Sequence, residues 1–421
     1  MQTQTELHSG AEFNDVTRVP RGWPGARAAA LLWSKTATWT RSLLRGELEC
    51  CLIQGTERHG GGPMTMCYVG GGEGLEYLAA VFFSDSKQNT ASPPVRWWRI
   101  RPALQRLGSD ADLLVLDLDF PLHWFTRWFV GSVPVLSVPR WLKQSIAVRA
   151  QSWEDMWTNI RRKTRNEAKR FISKFDLKFD LVPGAAWGPE FYRTLYRPSV
   201  HKRFGSQGVI VDESLFVAEC SKGEIARVSS DGRVLAAVLL HVDKDTLRLK
   251  WFGSSTEELD ADRVKGASDA LDLETLRIAV KRGLNELDMG HCRPQLDDGV
   301  LRYKQKWGAA IRRGKVPKGL FQIVAPRHSS ACASALANNP FAILEHGRLV
   351  SRLWVSSVGA TDHELEAVLR RYAVPGLSQL KVFADNRFTG VDGQEAGALE
   401  VPTQFIPLRS TDDALRCFMQ G

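Results

Sequence analysis

The strongest constraint on what this chain can fold into lies between residues 224 and 255. There EIARVSS, the dipeptide Asp231-Gly232, RVLAAVLLHV, a DKD turn and TLRLKWFGSS follow one another. A tight primed turn needs positive φ, which Gly adopts without steric cost, so Asp-Gly between two apolar runs predicts a β-hairpin. Leu247, Leu249 and Trp251 alternate with Thr246, Arg248 and Lys250, as a half-buried strand requires. Over residues 197–308 the pattern reads as three antiparallel strands, a helix opened by a small-residue turn, one more strand, and a closing aromatic and basic segment, YKQKWG.

A chain of 421 residues exceeds one ordinary hydrophobic core, so two or three domains are expected. The formal charge of +9 favours an anionic partner, whether CoA, a nucleotide-sugar phosphate, nucleic acid or an anionic membrane. Seven cysteines are scattered without CxxC or Cys/His ligand spacing, which argues for a reducing compartment and against a structural zinc. The amino terminus lacks a charged segment followed by an apolar core. No uninterrupted apolar run is long enough to span a bilayer, so a cytoplasmic protein, at most peripheral at an inner membrane, is expected. Tryptophan is concentrated in PLHWFTRWFVG at 121–131, for which a buried aromatic cluster is a better account than peripheral membrane contact.

The composition divides the chain into a disordered 1–25, an α/β unit at 26–150, a second unit at 151–316, a linker at 317–339 and a small α/β unit at 340–421. In the first unit, apolar runs split by glycine clusters read as a strand meander that includes LEYLAAVFFS. A helix-like VRWWRIRPALQRLG follows, and DLLVLDLD suits a strand buried on both faces. Ser152 with Asp155 three residues on predicts a capping box for a helix whose apolar face is Trp153, Met156, Trp157, Ile160, Ala168, Phe171 and Ile172. Its other face carries Arg161, Arg162, Lys163, Arg165, Lys169 and Arg170 against Glu167, which is either a solvated face or a strip for a polyanion such as RNA. A second helix is expected over 269–282, stopped by Gly283.

Four segments, in order, are SWEDMWTNIRRKTRNEAKRF, SSDGRVLAAVLLHV, LDLETLRIAVKRGLNELDMG and GVLRYKQKWGA. Together they resemble the FemAB-like branch of the GNAT acyltransferase superfamily, in particular its bacterial members linked to exopolysaccharide and cell-envelope synthesis. The resemblance covers about 152–310. It implies a GNAT-type mixed, largely antiparallel sheet flanked by helices. The overall expectation is thus an α/β (α+β) chain of two GNAT-like halves plus a small carboxy-terminal unit.

The resemblance also implies a site. In such enzymes the CoA pyrophosphate sits on free amides at a helix amino end. The matching stretch here is Arg263, Val264, Lys265, Gly266, Ala267, Ser268, with Ser in place of the last small residue and with Asp269 and Asp272 close by to repel a diphosphate. Phe252, Gly253 and Ser254 would form the strand edge that holds the pantetheine arm, with the Phe252 N–H as an oxyanion donor. His291 would be the base, Asp288 its acidic companion, and Tyr303 and Lys304 would lie against the acceptor. Cys292 is read as an apolar filler, not a nucleophile.

These expectations lead to acyl transfer from acetyl-CoA or another acyl-CoA to an amino group on a sugar or envelope precursor, without metal and without DNA. Two alternatives stand beside it. One is an aminoacyl-tRNA-dependent peptidoglycan-precursor ligase, disfavoured by the lack of a long heptad arm, and the other is a catalytically silent scaffold of a polysaccharide-assembly system.

Overall fold

The computed structural model describes residues 47–421 apart from 73, 109, 120–121, 149–151, 206–209, 258–260, 315–318, 356–361, 386–400, 409–410 and 421. The stretch 1–25 and the first part of the next unit, 26–46, therefore lie outside the described residues. In chain order the strands are β1 (Glu47–Glu57), β2 (Pro63–Gly70), β3 (Phe83–Arg96), β4 (Leu113–Leu118), β5 (Leu136–Pro139) and β6 (Leu142–Ala147). Then come β7 (Lys178–Pro183), β8 (Glu224–Ser230), β9 (Arg233–Asp243), β10 (Thr246–Ser254), β11 (Glu286–Cys292), β12 (Ala310–Arg312) and β13 (Leu320–Val324). The last are β14 (Ala342–Glu345), β15 (Arg348–Val355), β16 (Gln379–Asp385) and β17 (Thr403–Leu408).

They form three mixed sheets flanked by helices, ordered β3-β1-β2-β4-β13-β5, β12-β6-β11-β10-β9-β8-β7 and β14-β15-β16-β17. The Asp231-Gly232 hairpin forms between β8 and β9, with φ of 51° and 75° at its two central residues, the pair of positive values a primed turn needs. β4 lies between β2 and β13 with every residue buried, which explains why it is apolar but for Asp117.

The sheets do not respect the expected boundaries. β6, assigned to the first unit, lies between β11 and β12 of the second sheet, and β13, from the expected linker, pairs with both β4 and β5 of the first. Each crossing strand makes a full ladder with its host sheet, so neither sheet is complete without the other's chain segment. The third sheet packs on both. Ile343, Val350, Phe383 and Phe418 share a core with the first, while Ala342, Leu349, Leu380 and Val382 share one with Leu142, Cys292 and Ile311. Residues 48–421 accordingly gather into one compact unit.

Several local expectations are corrected. The apolar stretch LEYLAAVF is a helix, Leu75–Phe82, because its buried residues Leu75, Leu78, Val81 and Phe82 recur at helical and not strand spacing. The helix-like VRWWRIRPALQRLG is a helix only over Ile100–Leu107, with Pro102 in its first turn, where its missing N–H costs nothing. The Ser152–Asp155 capping box forms, yet the long helix is broken in two, Trp153–Asn159 and Arg162–Lys174. The break is at Ile160, extended in backbone and 1% exposed, which plunges its side chain into the core. Around 121–131 the aromatic cluster is only partly buried: Phe129 is inside, but Phe125 and Trp128 are 43% and 50% exposed.

Between β7 and β8 the chain forms a helical passage absent from the sequence reading: Gly184–Phe191, a π-helical turn Tyr192–Tyr196, and Arg197–Phe204. A second helix, Glu213–Cys220, is capped by Asp212. Their aromatic residues Trp187, Phe191, Tyr192, Tyr196 and Phe216 pack on Trp251 of β10. Gly253 makes this possible, since a Cβ there would stand 2.7 Å from the backbone of Leu195 and Tyr196. We expect Gly253→Ala to cost about 1–3 kcal/mol, the usual penalty of overpacking, measured as a lower urea midpoint with an unchanged slope.

Candidate active site

β10 and β11 are parallel neighbours for only three residue pairs, Thr246–Glu286, Leu247–Leu287 and Arg248–Asp288. Beyond these pairs both strands continue, β10 to Ser254 and β11 to Cys292, without pairing to each other. A wedge opens between them. Two irregularities shape it: β10 carries a bulge between Lys250 and Phe252, and β11 a register shift between Asp288 and His291 where Gly290 turns to a φ of 80°. The φ of 80° is what favours glycine here, since Leu249 O and Lys304 Nζ lie at ordinary contact distances, 3.7 and 4.0 Å, from where a Gly290 Cβ would be.

Lys304 comes from the helix Gly299–Gln305, which Asp298 caps through the Leu301 amide. Its Nζ donates to the His291 backbone O at 2.9 Å, and burial lowers its pKa from the ordinary lysine value. The ammonium therefore stands at the mouth of the wedge, held by a single carbonyl that an incoming acyl oxygen can replace.

Behind it, the Tyr303 hydroxyl meets two carboxylates of the helix Ala261–Lys281, Asp272 Oδ2 at 2.6 Å and Asp269 Oδ1 at 3.2 Å. Desolvation raises Asp269 to about 6 and Asp272 to about 7, the hydrogen bond from Tyr303 opposing the rise in both. For Asp272 the neighbouring Asp269 charge adds to the rise. Burial also drives the Tyr303 phenol well above its ordinary value. The result is a proton-holding cluster that titrates near neutrality.

Other expected site residues fall elsewhere. Asp288 gives its oxygens to Lys143 Nζ at 3.0 Å and to the Gly290 N–H at 3.0 Å, so it does not act as companion to His291, which is exposed. Phe252 lies opposite Val238, and its ring is 5.1 Å from the Arg203 guanidinium. Ser254 Oγ accepts from Arg203 at 3.3 Å and lies near Ser199 Oγ. Gly253 serves the helix contact described above. Cys292 is 2% exposed and its thiol is pushed up to about 12 by burial, as an apolar filler would be.

The expected phosphate seat at 263–268 is not a loop. Arg263, Lys265, Gly266, Ala267 and Ser268 all lie inside the helix that begins at Ala261, and of these only the Arg263 amide belongs to its first turn. Gly266 is needed for helix packing, since its Cβ would be 2.7 Å from that of Phe171, and Ala267 is fully buried. Arg263 is spent on Asp231 and Ser230, Lys265 on Glu167 at 2.6 Å, and the Ser268 hydroxyl on Val264 O. These residues do not fit a CoA pyrophosphate.

The basic face of Arg162–Lys174, by contrast, is open. Arg161, Arg162, Lys163, Lys169, Arg170 and Lys174 are exposed, and none has a carboxylate partner among the described residues. Arg165 and Lys169 bracket the Trp157 ring at 5.6 and 4.6 Å.

Residues 158–305 match the model of the acetyltransferase (GNAT) domain family. The strand order from β7 to β11 and its helical passage lie within that match, which supports an acyltransferase. Among solved structures the chain is similar to FemX at 12% identity over 68% of this chain and 90% of that one, with a TM-score of 0.34. It is also similar to the C-terminal domain (DUF2156) of a putative lysylphosphatidylglycerol synthetase from Agrobacterium fabrum, at 12% identity over 68% and 83% of the two chains, TM-score 0.31. L-PGS from Bacillus licheniformis gives 12% identity over 66% and 84%, TM-score 0.31. Likeness at this level carries no functional argument. No curated protein matches. No helix among the described residues is long and apolar enough to cross a membrane, and no group of His, Cys, Asp or Glu there could hold a metal ion.

Proposed function

We propose that this chain is an N-acyltransferase that joins an activated acyl group to an amine in the wedge between β10 and β11. The observation that carries the reading is the ammonium of Lys304 at that wedge, with a near-neutral carboxylate cluster directly behind it. In this scheme the acyl carbonyl oxygen takes the place of His291 O on Lys304 Nζ, which then donates to the developing oxyanion. The amine nitrogen attacks the carbonyl carbon, and the bond to the leaving group breaks. The proton lost by the amine passes through the Tyr303 hydroxyl to Asp272, whose pKa of about 7 suits such a transfer.

For the donor we take an acyl-CoA, which GNAT domains generally use, with its diphosphate held elsewhere than at 263–268. For the acceptor we take an amino group on a sugar or envelope precursor. The open basic face of Arg162–Lys174 favours a second reading, an aminoacyl-tRNA donor, because so many unpaired cations on one helix would attract a polyanion.

Equilibrium binding separates the two. With acetyl-CoA as the donor class, calorimetry should show saturable acetyl-CoA binding that survives Arg161, Arg162 and Arg165 all changed to Ala. With the tRNA reading, tRNA should bind at low salt, weaken steeply as salt rises, and be lost in that triple variant. Absence of both would remove the transferase proposal.

A further inference from the structure

One charged side chain beside the wedge has no use in the scheme above. Arg293 follows β11 immediately, two residues beyond the carbonyl that holds Lys304. Its guanidinium is stacked between the rings of Trp141, 3.8 Å from the centroid, and Tyr77 of the helix Leu75–Phe82, at 4.5 Å. Arg293 makes no hydrogen bond and no ion pair among the described residues. Its Nη1 is fully buried without a partner. Burial correspondingly lowers the Arg293 pKa.

An arginine placed in this way is costly, because the Nη1 donors have given up water and received no acceptor in return. The groups that act on it are Asp298 and Asp117, which favour its charge, and Arg140, which opposes it. Neither carboxylate answers its fork. Asp298 is occupied in capping Leu301, and Asp117 accepts from Tyr68 at 2.5 Å and from Arg140 Nε at 2.9 Å. The aromatic clamp fixes the guanidinium plane, and Trp141, 39% exposed, leaves the site reachable from solvent.

We propose that Arg293 is the receptor for an oxyanion, phosphoryl or carboxylate, carried by the amine acceptor. A bidentate oxyanion satisfies the fork that the protein leaves empty. Arg293 lies two residues along the chain from the carbonyl that holds Lys304, so the site rests on, and specifies, the acyl-transfer reading: the acceptor is an anionic amine, not a neutral one. The seam between Tyr77 on the first sheet's helix and β11 of the second then has a purpose, as the joint where the two halves of the molecule hold one substrate.

The test is calorimetric titration of the full chain with inorganic phosphate and, separately, with succinate at constant chloride. Which of the two binds tells phosphoryl from carboxylate. Arg293→Gln should weaken that binding about tenfold or more, the loss of a charge-assisted pair. Arg293→Lys should also weaken it, since it keeps charge but loses the fork. In the absence of anion Arg293→Gln should melt no lower than wild type, because it removes an unpaired buried charge. Should Arg293→Gln prove unstable, the wild-type titration still decides, and failure to bind either anion overturns the proposal. Equal binding by wild type and Arg293→Gln overturns it too. Binding that depends on Arg293 in a protein without acyl transfer would keep this site and end the transferase reading, whereas turnover without such binding would do the reverse.

Discussion

Lys304→Ala is expected to lower the turnover number for acyl transfer about 100- to 1000-fold, the usual consequence of losing one oxyanion donor, while leaving donor binding close to wild type. The split follows from geometry. Lys304 Nζ faces the wedge and holds only a backbone carbonyl, so what it loses is an interaction made with the reacting oxygen as charge develops. Lys304→Arg should not restore activity, because a planar guanidinium fork does not reproduce the compact ammonium donor at this position. Stability distinguishes this from a folding defect. Burial disfavours the charged Lys304, so its removal should leave the melting temperature unchanged or slightly raised. A variant with full turnover, or one that loses turnover only in proportion to unfolding, would contradict the role. Steady-state kinetics with thermal melts on the same preparations make the measurement.

Much of this arrangement is written in the local sequence, and the part that is not has a physical reason. The β8–β9 hairpin, the alternation in β10, the buried run of β4 and the Ser152 cap depend on residues within a few positions of one another, so period and turn chemistry reveal them. The crossing of β6 and β13 between sheets does not, because strand partners so far apart in the chain leave no local trace; Leu287 with Ile146 is such a pair. The 263–268 pattern misleads for a different reason. A small residue that lets a backbone approach a phosphate also lets one helix approach another, and at Gly266 the neighbour is Phe171. Asp269 and Asp272 were legible in principle: their spacing puts both on one face of the helix, beside the buried Ala270 and Leu273. Carboxylates on a core-facing stripe are informative, whereas reading them as a repulsive first turn depended on the helix starting too late. Arg293 offered no signal at all, since its two rings come from the first sheet's helix and from the turn after β5.

The carboxylate cluster makes the second large prediction, a stability that falls as pH rises. In the unfolded chain Asp269 and Asp272 release their protons near the ordinary value of 3.8, but in the folded protein they hold them to about 6 and about 7. Between those limits the native state binds more protons than the unfolded state, so unfolding free energy declines with pH across the window and levels off above it. Below pH 3.8 the stabilising contribution is complete; above pH 7 it is gone. A tenfold change in a carboxyl group's acidity between the two states corresponds to about 1.36 kcal/mol. Since the two sites are coupled through Tyr303 and Asp272 is only half-buried, the net effect should be about 2–4 kcal/mol. Asp272→Asn, which keeps the shape and can still accept from Tyr303, should flatten most of that decline and be more stable than wild type at pH 8 while similar at pH 4. The same substitution should remove any rise of kcat/KM between pH 6 and 7, because the group that takes the amine proton is then missing. Urea titrations at pH 4, 6 and 8 read the first effect and a pH–rate profile reads the second. Parallel stability curves for wild type and Asp272→Asn would show that the cluster carries no displaced protons, and with it the route from amine to Asp272 would fail.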